Sequence, residues 1–268
     1  MVRPENLNDA LKTLSRGGMT ICAGGTDVMV YPPENARLLM VDRLPELKLI
    51  EDLGDAVRIG AAVTFTEGIE SPIVPELMKA ALRRIAAPAI RNMGTFGGNI
   101  GNGSAKADSV LIDFVLDAKL ELASIRGTRT PDIDKFYLGR KKLDLAPDEL
   151  IAAIFLPKPK GSWYYEKVGG REALAISRLS FAGVIDVRDG VITSLSAAFG
   201  AVADTVLRFK ELEAMLTGKS LDEARAMKPD FIAAYDRAIV PIRGRVSETW
   251  RKEVCLNLLR DFLSQNGI

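Results

Sequence analysis

A chain of 268 residues, 47% hydrophobic and 26% charged with 23 glycines and 13 prolines, can bury the core of one large or two modest domains. Its composition is that of a globular protein rather than a disordered, collagenous or coiled-coil one. Lys+Arg 36 against Asp+Glu 35 leaves a formal net charge of +1, so no global field gathers phosphate backbones or anionic lipid, and neither nucleic acid nor a membrane surface is an expected partner.

The absence of histidine excludes Ser-His-Asp and Cys-His hydrolases, histidine-bound zinc and haem on a proximal histidine. Cys22 and Cys255 are too few for a four-thiolate metal site, so redox chemistry here requires an organic cofactor or a partner's metal. The first residues lack a signal-peptide core and no stretch is long and apolar enough to span a bilayer, which predicts a cytoplasmic chain with two reduced, structural thiols.

In chain order, Leu7, Ala10, Leu11 and Leu14 recur at helical spacing behind Pro4, and Gly17-Gly18 ends that helix. Thr20 to Ala23 reads as a short buried strand closed by Gly24-Gly25-Thr26-Asp27; Arg37 to Val41 and Val57 to Val63 read as further strands. Glu76 to Ala86 is helical in pattern, and Pro88 closes it. The stretch Ile90 to Ser109, rich in Gly, Asn and Ser, reads as a long structureless loop of the functional kind, followed by a helix over Val110 to Asp117 and a strand over Lys119 to Ala123.

The texture changes at Pro157-Lys158-Pro159-Lys160-Gly161, a predicted domain boundary. Beyond it, Ser162 to Lys167, Ser180 to Val187 and Val191 to Phe199 read as antiparallel strands, with Asp189-Gly190 as a hairpin turn. Ser220-Leu221-Asp222-Glu223 has capping-box form, and Thr249 to Leu263 an amphipathic helical pattern.

Two glycine-rich segments stand out. Ala23-Gly24-Gly25-Thr26-Asp27 at a strand end is either a plain turn or a nest of backbone N–H groups for an anion. Gly94-Thr95-Phe96-Gly97-Gly98-Asn99-Ile100-Gly101-Asn102-Gly103-Ser104, followed by Asp108, offers backbone donors and short polar side chains. Neither fits Gly-x-Gly-x-x-Gly after a strand, and Gly218-Lys219-Ser220 lacks the upstream glycine of a P-loop. As a pair the segments suggest an extended ligand with a pyrophosphate at its middle. Read by position alone, Asp108 is a helix N-cap and Lys167 a solvated strand lysine.

These residues carry a resemblance. Ala23 to Asp27, then Ile90-Arg91-Asn92-Met93-Gly94-Thr95-Phe96-Gly97-Gly98-Asn99-Ile100, then Asp108, the strand Glu149 to Pro157, Tyr165-Glu166-Lys167 with Arg171, and the stretch from Ile242 to Leu263 are similar to the FAD-binding (medium) subunits of the molybdenum hydroxylases, of xanthine dehydrogenase and carbon monoxide dehydrogenase flavoprotein type. The match runs over nearly the whole chain. The resemblance implies an α+β fold. It comprises a two-subdomain α/β FAD-binding domain of the vanillyl-alcohol-oxidase-like (PCMH) type over residues 1–157, with subdomains of about 1–55 and 56–157, and a C-terminal α+β domain of the CO dehydrogenase flavoprotein type over 162–268.

The same resemblance assigns Ile21, Cys22, Ala23, Gly24, Gly25, Thr26, Asp27 and Val28 to the pyrophosphate. It assigns Thr95, Phe96, Gly97, Gly98, Asn99, Ser104 and Asp108 to the rest of the FAD, and Ile151 and Lys167 to the flavin's surroundings. Ala105-Lys106 and Ile85 depart from the family's usual proline with a small residue and its aromatic. The implied protein holds noncovalent FAD as its only redox centre and no metal, with no side chain assigned to catalysis. Its implied partners are a large molybdopterin subunit and a small 2Fe-2S subunit, with NAD+ or another compound as acceptor. Purine, nicotinate, aldehyde and carbon monoxide branches all fit, and a stand-alone FAD oxidoreductase or a non-catalytic FAD-binding assembly protein are the alternatives.

Overall fold

The computed structural model describes residues 1–171, 174–244 and 246–268; Arg245, within the C-terminal stretch cited above, lies outside the described residues. The chain divides into two compact units, one of residues 1–104 and 117–158, the other of 105–116 and 159–268. The segment 105–116, placed by sequence within the first domain, packs with the second unit. Elements are numbered along the chain.

In the first unit α1 (Leu7–Leu14) starts at Asn6, whose side chain accepts from the Asp9 N–H, and buries Ala10, Leu11 and Leu14. Gly17 and Gly18 then turn the chain at positive φ. β1 (Thr20–Cys22) and β2 (Leu38–Met40) pair in parallel with Ile21 opposite Leu39. β3 (Ile50–Asp52) and β4 (Ala56–Gly60) join β5 (Lys119–Ser124), β6 (Gly127–Arg129) and β9 (Leu150–Pro157) in an antiparallel sheet of order β3-β4-β9-β5-β6. The strand predicted over Val57 to Val63 ends at Gly60: the Ala61 N–H still donates to the Ala152 carbonyl of β9, but the carbonyls of Ala61 and Val63 turn away to accept from Gly97 and Phe96.

Four helices lie between β4 and the unit boundary: α2 (Phe65–Glu70), with a capping box of Thr64 and Glu67, α3 (Glu76–Arg83), α4 (Pro88–Arg91) and α5 (Phe96–Gly101). The long loop predicted over Ile90 to Ser109 is therefore corrected, since α4 ends and α5 lies within it. α7 (Ile133–Phe136) leads into a small hairpin of β7 (Tyr137–Gly139) and β8 (Lys142–Leu143).

The second unit contains α6 (Asp108–Val115) and an antiparallel meander of β10 (Ser162–Val168), β11 (Leu179–Arg188), β12 (Val191–Gly200) and β13 (Leu207–Arg208). Asp189 and Gly190 turn the β11–β12 hairpin with φ of 50 and 76, as their sequence predicts. α8 (Lys210–Glu213) precedes α9 (Leu221–Ala238), which starts on the Ser220–Glu223 capping box, and α10 (Glu248–Gln265) closes the chain. Phe181, Phe199, Phe231, Tyr235 and Phe262 are fully buried and form an aromatic cluster. Gly183 makes room for it, because a Cβ there would lie 2.9 Å from the Phe262 ring. α6 packs on β11 and β12, and Arg208 ties its end by donating to the Phe114 carbonyl while pairing with buried Glu213.

Within α6, Asp113 is fully buried and, among the described residues, neither carboxyl oxygen has a partner. Burial pushes its pKa up to about 8 from an ordinary 3.8. Because the folded value lies above the unfolded one, the unfolded chain releases this proton first. Stability therefore falls as pH rises through the window from about 4 to about 8. Asp113→Leu removes an unpartnered buried polar group at either pH and a proton-linked penalty that grows with pH, so it is expected to exceed the parent's stability by a clearly larger margin at pH 8 than at pH 4, as measured by denaturant midpoints at the two pH values. A variant no more stable than the parent at the higher pH contradicts this account.

Candidate functional site

A cavity of about 510 Å³ in the first unit is lined by the segment after β1, by α5 with its flanks, by the β7–β8 turn and by Ile151 at the start of β9. Its volume is that of a small-molecule site. Thirteen predicted residues meet there: Ile21, Cys22, Ala23, Gly24, Gly25, Thr26, Asp27, Val28, Thr95, Gly97, Gly98, Asn99 and Ile151.

The two glycine-rich segments do different work. Among the described residues, the backbone N–H groups of Gly24, Gly25, Thr26, Asp27 and Val28 donate to no protein acceptor, whereas Gly25, Asp27 and Cys22 carbonyls are used by Met29, Val30 and Val41. Gly25 has φ of 73, the left-handed conformation that lets successive N–H groups converge. In α5, by contrast, the first N–H groups are consumed: Phe96 donates to Val63, Gly97 to Ala61, Gly98 to the Thr95 hydroxyl and Asn99 to the Thr95 carbonyl. Among the described residues, the unbonded backbone donors of the two segments are thus confined to the first. The second contributes a glycine surface, with Asn99 and Asn102.

Phe96 does not line the cavity. It is 1% exposed and meets Phe65 edge-on with ring centroids 5.7 Å apart, and the bare Gly68 accommodates it. Ser104, half-buried, also lies outside the lining. Asp108 and Lys167 belong to the second unit, and both positional readings are corrected. Asp108 is the first residue of α6, after Ala107 as N-cap, and is buried; Lys167 is buried rather than solvated. Their charged groups lie 2.8 Å apart, and the Ser177 hydroxyl donates to the other Asp108 oxygen at 2.7 Å. Two charges removed from water in this way must pair.

Among the lining residues that sequence reasoning missed are Phe65, Lys141 and Leu145. Lys141 follows Arg140 in an exposed turn and carries no local signal. Both cysteines are free and buried, and burial, with Asp42 nearby, raises the Cys22 thiol above its ordinary pKa. Among the described residues no His/Cys/Asp/Glu group is placed to hold a metal, and no helix is long and apolar enough to cross a membrane.

A parallel strand pair thus opens into unbonded N–H groups over a mixed polar and apolar cavity in an α+β unit, and the second unit is an antiparallel meander with helices. The family model for the FAD binding domain in molybdopterin dehydrogenase matches residues 1–159, and that for the CO dehydrogenase flavoprotein C-terminal domain matches 163–266. The putative xanthine dehydrogenase FAD-binding subunit XdhB of Escherichia coli strain K12 is 38% identical over 225 residues, 79% of this chain and 76% of that one. The nicotine 6-hydroxylase medium subunit of Paenarthrobacter nicotinovorans is 32% identical over 233 residues, 83% of this chain and 81% of its own. A chain of the reconstituted CO dehydrogenase from Oligotropha carboxidovorans superposes with a TM-score of 0.89 at 27% identity, covering 97% of this chain and 94% of that one. The chain belongs to the family of FAD-binding medium subunits of molybdopterin dehydrogenases, with the PCMH-type and flavoprotein C-terminal architecture that its sequence resembles.

Proposed function

We propose that this chain holds FAD noncovalently as its only redox centre and passes electrons between a partner's 2Fe-2S clusters and NAD+ or another acceptor. In this reading hydroxylation takes place at the molybdopterin of a separate large subunit, which also selects the substrate. The observation that carries the reading is the run of N–H groups from Gly24 to Val28 with no protein acceptor. Buried or half-buried backbone donors seek a partner, and a diphosphate supplies several acceptor oxygens at once.

The residues present fit the cofactor. Gly25 and its neighbours supply donors, Asn99 and Asn102 supply amides, and Phe65, Leu145 and Ile151 supply apolar surface. Asp108 and Lys167 are proposed cofactor contacts on the family resemblance. Flavin, when bound, supplies the exchange between one-electron and two-electron partners. The chain's own part is to bind and orient it. No histidine is available for covalent attachment, and Cys22, kept as the thiol by its raised pKa, is a poor nucleophile for it.

The purified chain is expected to show flavin absorption bands, to release intact FAD on denaturation and to bleach reversibly on anaerobic addition of NADH. A colourless protein that FAD does not reconstitute overturns the assignment.

A further inference from the structure

At one margin of the cavity three elements meet through a single amide. Asn102, just beyond α5, donates from Nδ2 to Asp27 Oδ2 at 2.9 Å, and its Oδ1 accepts from Lys141 Nζ at 3.3 Å. The amide therefore stands between a carboxylate and an ammonium group that do not pair directly. Among the described residues, Lys141 is the one basic side chain lining the cavity and Asp27 the one acidic one. Among the described residues Lys141 has no ion-pair partner; a neutral amide at 3.3 Å is a weak restraint on its charge.

The main chain beneath it is fixed. The Lys141 N–H donates to the Gly103 carbonyl, and Lys141 holds φ of 54 in the β7–β8 turn. Gly103 has φ of 64, and a Cβ there would stand 3.0 Å from Lys141 Cα. Helix end and turn thus touch backbone to backbone, and a long flexible side chain leaves a rigid base at the cavity's edge.

The charge balance gives that side chain a purpose. The N–H groups of Gly24 to Val28 bring donors but no formal charge, and Asp27 adds a negative one beside them. A diphosphate entering this nest meets an uncompensated carboxylate unless a cation joins it. We propose that Lys141 leaves Asn102 to pair with the diphosphate of the bound dinucleotide, and so makes the cavity select phosphorylated ligands over bare flavin. The proposal rests on the reading that the chain holds FAD.

The test uses the full chain stripped of cofactor, titrated with FAD, ADP and riboflavin at low and high salt, for the parent, Lys141→Gln and Lys141→Arg. Loss of one charge-assisted hydrogen bond is expected to weaken FAD and ADP about tenfold in Lys141→Gln. Riboflavin binding should be unchanged, the salt dependence of FAD binding shallower, and Lys141→Arg close to the parent. Thermal midpoints of all three should coincide, because the side chain is exposed. Unchanged FAD and ADP affinities in Lys141→Gln, or a loss shared equally by riboflavin, overturn this role while leaving FAD binding in place. A parent chain that binds neither FAD nor ADP overturns both.

Discussion

Replacing Gly24 with alanine is expected to leave the protein without flavin and markedly less stable. An ideal Cβ at this position would lie 1.6 Å from the Met93 carbonyl oxygen and 2.4 Å from its carbon. Both atoms are backbone, so no rotamer change relieves the overlap, and the segment after β1 must move away from the turn between α4 and α5. Overpacking of this severity costs about 3 kcal/mol or more. The same displacement separates the open N–H groups from the α5 side of the cavity, so FAD loses its cradle along with the fold's stability. Gly101→Ala provides the contrast. It lines the same cavity, yet the nearest neighbour of its Cβ would be Ile151 Cδ1 at 3.8 Å, and alanine is the better helix former by about 0.5–1 kcal/mol. Its stability should equal or exceed the parent's. Denaturant midpoints and the flavin-to-protein ratio of the two variants decide the matter; a Gly24→Ala protein of parental stability is incompatible with the crossing described.

Local signals carried much of this architecture. The Asp189-Gly190 hairpin and the Ser220 capping box rest on interactions between near neighbours and lie where their residues predict, as does the strand at Thr20, whose parallel pairing with Leu38–Met40 was not itself legible. α5 is a different case. Gly97, Gly98 and Gly101 disfavour a helix, and Phe-Gly-Gly-Asn-Ile-Gly reads as loop. The helix exists because Val63 and Ala61 accept its first N–H groups, Thr95 caps it, and Phe96 and Ile100 are buried. A Cβ on Gly97 would come within 2.5 Å of Ala61, so tertiary packing demands the residue that local propensity penalises. The glycines that suggested a ligand are thus partly there for protein contacts: Gly24 for Met93 and Gly97 for Ala61. Only the first segment keeps its donors for something else. Lys141 had no signature, because its role depends on Asn102 and Gly103 from a distant part of the chain.

Asp108 and Lys167 show the same limit in the second unit, and their energetic link is the other large effect expected. Their side chains are 4% and 7% exposed, with Nζ and Oδ2 2.8 Å apart. Desolvating such a pair is costly, and removing one partner leaves the other charge buried, a loss of about 3 kcal/mol or more. The two halves are not equivalent. Asp108 opens α6, where the helix dipole favours a carboxylate, and accepts from Ser177; Lys167→Met leaves those interactions in place and is expected to cost about 2 kcal/mol. Asp108→Asn keeps an acceptor for Ser177 but withdraws the negative charge from a buried ammonium, and should cost about 3 kcal/mol. Carrying both substitutions, the chain no longer buries either charge, so the double variant should be more stable than the two separate losses imply, by at least about 1 kcal/mol. The measurement is a double-mutant cycle in denaturant on cofactor-free protein, because ligand binding would add its own stabilisation. Strict additivity would mean that the two groups do not depend on each other, and that Lys167 is held in its buried place by something other than Asp108.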